Sequence, residues 1–365
     1  MTAIPEKLGR YSIVAELASG GMGVVYLARV SGPGGFDKLV ALKCIHPHLL
    51  SEAGFVHRFL DEARLASRLT HPHVASVFDV GEVDGRFYLA MEYVEGVPLA
   101  DLVEAAPSLP ASWPYFALQL IADAAEALHV AHELTGPDGQ PLQVVHRDVS
   151  PHNLLVGFDG GVRVVDFGLA KARERLADST SGTMRGNYAY MAPEQIVPNG
   201  VIGRAVDIWA LGVVLHELLT GAPLFQRKHA MATLDAVLQR EVRSVRDVHP
   251  SLPEEVDAIV ARALAEDVSD RYPTARALGA AIRAVLARSG QLVGAPELAE
   301  VLAATFPTRV QAAAALRTRA MASARAGASE KDDGPTSRWP LALGIAALGT
   351  GLIGLATWAV WAFGG

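Results

Sequence analysis

The sequence predicts an α+β protein of two lobes, strand-rich first and helix-rich second, with a cleft between them and a single apolar helix at the C-terminal end. Three observations predict it. Short β-branched or aromatic runs separated by Gly, Pro and Asp turns crowd the region before residue 100. After it, apolar residues recur at helical spacing over long stretches. From Pro340 to Phe363, 24 residues pass without a charge.

The strand-like runs are YSIVAEL (11–17), VVYLARV (24–30), LVALKCI (39–45), ASVFDV (75–80) and RFYLAMEYV (86–94). One stretch interrupts them: FVHRFLDEARLASRL (55–69) has apolar residues three and four apart and reads as a helix. WPYFALQLIADAAEALHVAHEL (113–134) and VDIWALGVVLHELLTG (206–221) are the longest helical stretches beyond it. An Ala-rich segment, 296–326, has helical propensity with a proline break at 307. Residues 324–338 mix charge, Gly and Ser, as linkers do. This divides the chain into a mixed domain over 11–285, a helical and flexible linker over 286–338, and a spanning helix over 339–363.

The uncharged run from 340 to 363 would make roughly 36 Å of helix at 1.5 Å per residue, enough to cross a hydrocarbon core of about 30 Å with some tilt. Trp339, Trp358 and Trp361 stand near its ends, as interfacial aromatics do. Arg317, Arg319, Arg325, Lys331 and Arg338 precede it and no charged side chain follows, which predicts a single-pass anchor with the main domain facing the cytoplasm. Ala347 and Gly351, like Thr350 and Gly354, are small residues four apart that would let two such helices pack, so a homodimer is expected.

Composition excludes several classes. Half of the 365 residues are hydrophobic and 19% are charged, ordinary for a chain with a sizeable core. With 32 Lys and Arg against 39 Asp and Glu, the net charge of −7 leaves no global basic field for nucleic acid. One cysteine, Cys44, can form neither an internal disulfide nor a zinc cluster; beside Lys43 on a strand it is expected to pack as a small hydrophobe. The opening MTAIPEKLGR is too polar for a secretory signal.

Within 11–285, ASGGMGVV (18–25) lies between two strand runs, where small residues allow backbone N–H groups close to phosphate oxygens; alone, it is equally an ordinary tight hairpin. Lys43 ends the apolar VALK (40–43) and can aim an ammonium into the cleft, and Glu62 on the following helix is its natural partner. HRDVSPHN (146–153), VVDFG (164–168), YMAPE (190–194), DIWALG (207–212) and DRY (270–272) then follow in order.

This ordered set resembles the eukaryotic-like, Hanks-type protein kinases in their bacterial Ser/Thr branch, over residues 11 to about 285. The resemblance implies the two-lobed protein kinase fold and transfer of the γ-phosphoryl of Mg-ATP to protein hydroxyls, with magnesium, or manganese in its place, as the metal. It implies that Lys43 holds the α- and β-phosphates and pairs with Glu62, that Asp148 accepts the proton of the attacking hydroxyl, and that Asn153 and Asp166 hold the metal. ATP would further meet the glycine loop from Leu17 through Ala18, Ser19, Gly20, Gly21, Met22, Gly23 and Val24 to Val25. Adenine would lie between Val25 and Ala41 above and Leu155 below, with Met91 guarding the back pocket and the Glu92-Tyr93-Val94 segment offering backbone hydrogen bonds. Glu194 and Arg271 would form a buried ion pair, Asp207 would bind the backbone of the catalytic loop, and Trp209 and Gly212 would pack. Protein substrates are the implied partners.

Three positions depart from the family pattern. Ala18 replaces the first glycine of the loop. Ser150 stands where Ser/Thr members carry a lysine that touches the γ-phosphate, and Asn187 stands where they carry a threonine that contacts that lysine and the catalytic Asp. The last two are partners in the family, so their joint change reads as a coordinated rewiring. It also supports a competing reading, a nucleotide-binding pseudokinase scaffold at the membrane. A small-molecule phosphotransferase is disfavoured by the APE and DxW elements. Residues 166–194 are rich in hydroxyls, and Arg147 could pair with a phosphate there. Thr183 is the expected activation-loop phosphosite, with Ser179, Thr180 and Ser181 as secondary candidates.

Overall fold

Alternation along three N-terminal strands decides how the first lobe is built. In the computed structural model, which describes residues 6–33, 36–51, 54–167, 187–198 and 200–329, the lobe contains β1 (Lys7–Leu8), β2 (Tyr11–Ser19), β3 (Gly23–Ser31), β4 (Asp37–Ile45), α1 (Pro47–Leu50), α2 (Phe55–Ala66), β5 (Val77–Val83) and β6 (Arg86–Glu92). The strands form one antiparallel sheet in the order β1-β2-β3-β4-β6-β5. Successive side chains of a strand point to opposite faces. Ala41 and Ile45 of β4 therefore join Leu89 and Met91 of β6 on one face, against Phe55, Phe59 and Ala63 of α2. Those three are four residues apart and make one helix stripe. Val40 and Leu42 share the opposite face with Tyr88 and Ala90. Lys43 has the parity of Ala41 and Ile45, so its ammonium enters the lobe on the α2 side.

The second lobe begins after the Tyr93–Glu95 connection. It holds β7 (Gly96–Pro98), α3 (Leu99–Ala105), α4 (Trp113–His132), β8 (Leu154–Gly157), β9 (Val162–Val164), α5 (Pro193–Ile196), α6 (Ala205–Thr220), α7 (Ala230–Gln239), α8 (Glu254–Ala263) and α9 (Ala275–Ser289). Every residue of α6 from Val206 to Leu219 is buried. A helix buried on every side belongs inside a core, and here it is the centre of the lobe, packed against α4 and α8, with Asp207, His216 and Glu217 as its buried polar residues. Gly212 is required there: a Cβ would lie 2.8 Å from the Cβ of Ala263. The short antiparallel sheet β7-β8-β9 floors the cleft and presents the loop between α4 and β8 to it.

Two helices extend the chain, α10 (Ala295–Thr305) and α11 (Pro307–Ser329). Pro307 does not merely break a helix; it opens α11 at the first position, where its missing N–H costs nothing. Leu298 and Leu302 of α10 are in the large core. The compact unit runs through Ala324, so the expected linker over 286–338 begins as packed helix, because its apolar residues find a core to enter. No helix among the described residues is long and apolar enough to cross a membrane, and the expected span over 339–363 lies outside those residues.

Candidate active site

The glycine loop is a tight hairpin. Gly20 N–H donates to the Gly23 carbonyl at 2.9 Å, leaving Gly20, Gly21 and Met22 as the tip between β2 and β3. The glycines divide by role. A Cβ on Gly23 would lie 2.0 Å from the Cys44 carbonyl oxygen, so this glycine lets β3 approach β4. A Cβ on Gly20 or Gly21 would meet nothing within 4 Å; their small size leaves space over the cleft. Leu17, Ala18 and Ser19 are exposed at the end of β2, with Ala18 and Ser19 opposite Val25 and Val24. Ala18 has no positive φ, so its alanine is unstrained.

Val25, Ala41, Met91, Met22 and Tyr93 meet in one apolar cluster beneath that loop. Glu92 ends β6, Val94 follows in the connection, and Leu155 rises from β8 on the other lobe, opposite Arg163.

Lys43 is 7% exposed, and its Nζ donates to Asp166 Oδ2 at 2.7 Å. This contact joins the lobes. Glu62 lies on α2, but its side chain is outside the described part, so the expected Lys43–Glu62 pair is too. Asp166 has φ +61°, and Arg147, just before Asp148, has φ +66°. Side chains larger than glycine rarely adopt such values, and holding one there costs about 1–3 kcal/mol. Both stand beside or within the Lys43–Asp166 and Asp148–Asn153 contacts, where tertiary contacts over-determine them.

Asp148 receives one amide on each carboxylate oxygen. Asn153 Nδ2 donates to Oδ2 at 3.0 Å and to the Asp148 carbonyl at 2.7 Å. Asn187 Nδ2 donates to Oδ1 at 3.2 Å and to Ser150 Oγ at 3.1 Å. Ser150 is fully buried. The two positions that depart from the family pattern therefore touch each other, and Asn187 also touches Asp148.

A buried carboxylate holds this loop from below. Asp207 accepts from the N–H groups of His146 and Arg147, both at 2.8 Å, and from His132 Nε2 at 2.8 Å. Burial pushes its pKa up, but the hydrogen bond and charge of His132, with His146, outweigh burial and hold the carboxyl below its ordinary value. His146 is itself buried, bonds the Val165 carbonyl at 2.9 Å and packs on Phe167 with ring centroids 4.7 Å apart, coupling the catalytic loop to the segment of Asp166. The ion pair expected of Glu194 and Arg271 is present and bidentate, at 2.7 and 2.9 Å. Arg271 also donates to the carbonyls of Ala265 and Ala205, and lies over the fully buried Trp209 ring.

His46 was missed by sequence reasoning. Its backbone N–H donates to the Met22 carbonyl at 3.0 Å, and its ring Nε2 bonds the Gly20 carbonyl at 2.9 Å, tying the glycine-loop tip to the end of β4. The only signal was the HPH triplet at 46–48, whose two histidines carry no motif of their own. Thr183, Thr180, Ser179 and Ser181 lie outside the described residues.

Among the described residues no cluster of three His, Cys, Asp or Glu could hold a metal unaided. The oxygen donors of Asp166 and Asn153 nonetheless suit magnesium, which takes one or two protein ligands and completes its shell with phosphates and water. The Asn153 amide nitrogen is committed to Asp148, which leaves its oxygen as the ligating atom.

A tight glycine-loop hairpin, a strand lysine bonded to an aspartate from the other lobe, and a second aspartate held by two amides define a nucleotide-dependent phosphotransferase site. The chain belongs to the protein kinase family: the family model "Protein kinase domain" matches residues 11–281. It is 42% identical over 299 residues to the tyrosine-protein kinase MasK of Myxococcus xanthus, covering 82% of this chain and 46% of that one. It is 36% identical over 275 residues to the serine/threonine-protein kinase PrkC of Bacillus subtilis, covering 75% and 40%. Among solved structures it resembles the PknI kinase domain of Mycobacterium tuberculosis, with a TM-score of 0.58 and 28% identity, covering 78% of this chain and all of that one. The chain thus spans less than half the length of these two full-length relatives.

Proposed function

We propose that this protein is an ATP-dependent Ser/Thr protein kinase acting in signalling. One observation carries the reading: Lys43 of the first lobe is bonded to Asp166 of the second, and Asn153 is bonded to Asp148, which is oriented by an amide on each oxygen. In the reaction, a protein hydroxyl oxygen forms a bond to the γ-phosphorus, the bond from that phosphorus to the β,γ-bridging oxygen breaks, and ADP leaves. The hydroxyl proton passes to Asp148. Lys43 holds the α- and β-phosphates, and Asn153 and Asp166 hold magnesium, or manganese in its place. That metal neutralises charge on the phosphates when bound. The glycine loop from Leu17 to Val25 covers the phosphates, and the backbone at Glu92 and Val94 meets the adenine between Ala41, Met91 and Leu155.

The acceptor residue has a second reading. The 42%-identical relative is named a tyrosine-protein kinase, and Ser150 removes the lysine expected of Ser/Thr members. The motif set favours Ser/Thr. Phosphoamino-acid analysis after labelling with γ-labelled ATP decides between them: phosphoserine and phosphothreonine support the assignment, phosphotyrosine alone replaces it. Absence of transfer, with ATP still bound, would instead establish the scaffold reading. Asp148→Asn is the control that should be silent in all assays of transfer.

The uncharged run over 340–363 supports a single-pass anchor in the cytoplasmic membrane with the kinase on the cytoplasmic side, and its small residues support a homodimer. Thr183 is the proposed phosphosite, with Thr180, Ser179 and Ser181 as secondary candidates, and a phosphate there could pair with Arg147.

A further inference from the structure

Helix α11 connects the two lobes along the back of the hinge. Its residues 309, 313, 317 and 320 are spaced four, four and three apart and so share one helix face. At the first of these, Arg309 pairs with Asp101 of α3, in the C-terminal lobe. Two turns on, Arg317 Nη1 donates to both carboxylate oxygens of Glu95 at 3.0 Å, directly after the Glu92-Tyr93-Val94 connection. One turn further, the contacts belong to the N-terminal lobe. Arg319 donates to the Val14 carbonyl of β2 at 2.7 Å, and Arg29 of β3 donates to the Ala320 carbonyl at 3.1 Å. About 16 Å of one helix thus spans C-lobe, hinge and N-lobe.

The seat is built, not incidental. Ala320 is fully buried and Ala313 is 8% exposed, and side chains this small let the helix backbone come close to the lobes. Arg29 is buried and lies 3.8 Å from its nearest carboxylate, Asp37. A buried guanidinium needs its hydrogen bonds, and the α11 carbonyl supplies one. A groove of about 450 Å³ remains between helix and hinge, lined by Glu92, Tyr93, Val94, Glu95, Arg163 and Arg317.

We propose that α11 is a strap that positions the nucleotide-binding hinge from behind, so that Arg317, Arg319 and Arg29 act on ATP affinity without touching ATP. Seated, it holds the two lobes at one separation. Unseated, the hinge is free to open and the nucleotide binds more weakly, while chemistry at saturating ATP is kept. The segments C-terminal to the kinase join it through this helix, which makes the strap the route by which they would act on the cleft. The nucleotide part of this proposal rests on the kinase reading.

The test uses the full chain with Arg317→Ala and Arg319→Ala combined, and separately Ala320→Trp, which wedges the seat should the arginine changes leave it closed. Hydrogen exchange is followed at 307–322, 92–96 and 13–16, and the affinity for a fluorescent ATP analogue and the KM and kcat for Mg-ATP are measured. The expected result is faster exchange in all three segments, with nucleotide affinity weaker and KM raised by about fivefold, the low end of couplings between sites, and kcat within about twofold. Faster exchange at 307–322 with unchanged exchange at 92–96 and unchanged affinity overturns the strap. So does a fall in kcat at constant KM. The exchange arm requires no nucleotide, so a wild-type chain that fails to bind ATP would refute the kinase reading and still leave the strap judged by its hinge.

Discussion

At the residue scale, the Asp148 carboxylate is the point on which most of the site depends. Asn187 and Asn153 each commit an amide to it, and Ser150 shares the Asn187 amide. Groups in one network do not contribute additively. Ser150→Ala and Asn187→Ala should each lower kcat, and the double variant should lose less than the two losses summed, with a coupling of about 0.5–3 kcal/mol. Strict additivity would mean that the Asn187–Ser150 contact has no kinetic consequence. Asp166→Asn tests the metal role. Asn tolerates the left-handed backbone at this position better than most residues, so thermal unfolding should stay near wild type. Phosphoryl transfer should fall by at least about a hundredfold, as when one preorganised electrostatic group is removed.

At the scale of elements, two buried charges hold helices to loops. Arg271 is fully buried and ties the segment of Glu194 to the loop after α8. Truncating one partner of such a pair strands the other, at a cost of about 3–5 kcal/mol. Lysine cannot reproduce the planar fork. Arg271→Lys should therefore lower the melting temperature clearly, and Arg271→Ala by more; a melting temperature within a degree of wild type for both would contradict the role. Asp207 gives a pH signature. Its folded pKa lies below its ordinary 3.8, so on acidification the unfolded chain takes the proton first. Its contribution is complete above about pH 3.8 and is lost as pH falls through the folded value. Asp207→Asn should be less stable than wild type at neutral pH, with the two stability curves converging as the pH falls below 3.8. Parallel curves through that range would remove the assignment.

At the scale of the whole molecule, the kinase lobes and the two helices after them form one compact unit through Ala324, and the uncharged run lies beyond it in sequence. Full-length protein should sediment with membranes and resist carbonate extraction, while a chain ending at Ser329 should remain in the supernatant and keep its transfer activity. Full-length protein that stays in the supernatant without detergent would rule out the anchor.

The elements built from local pattern were legible in the sequence. Short β-branched and aromatic runs between turn residues located β2, β3, β4, β5 and β6 to within a few residues, and helical spacing located α2, α4 and α6. The ordered motifs named Lys43, Asp148, Asn153 and Asp166, because each motif is short and its chemistry is carried by adjacent residues. The helices α7, α8 and α9 were not singled out, and the small sheet β7-β8-β9 escaped because a three- or four-residue strand has too few periods to register. What only the tertiary structure decided are contacts between segments far apart in the chain. The bond of Lys43 to Asp166 spans 123 positions, that of His46 to Gly20 spans 26, and that of Arg29 to Ala320 spans 291. Such pairings follow from packing in three dimensions and leave no periodic trace along the chain. Residue type and local period set the elements and the reactive groups; the packing of lobes, hinge and strap decides which of those groups meet.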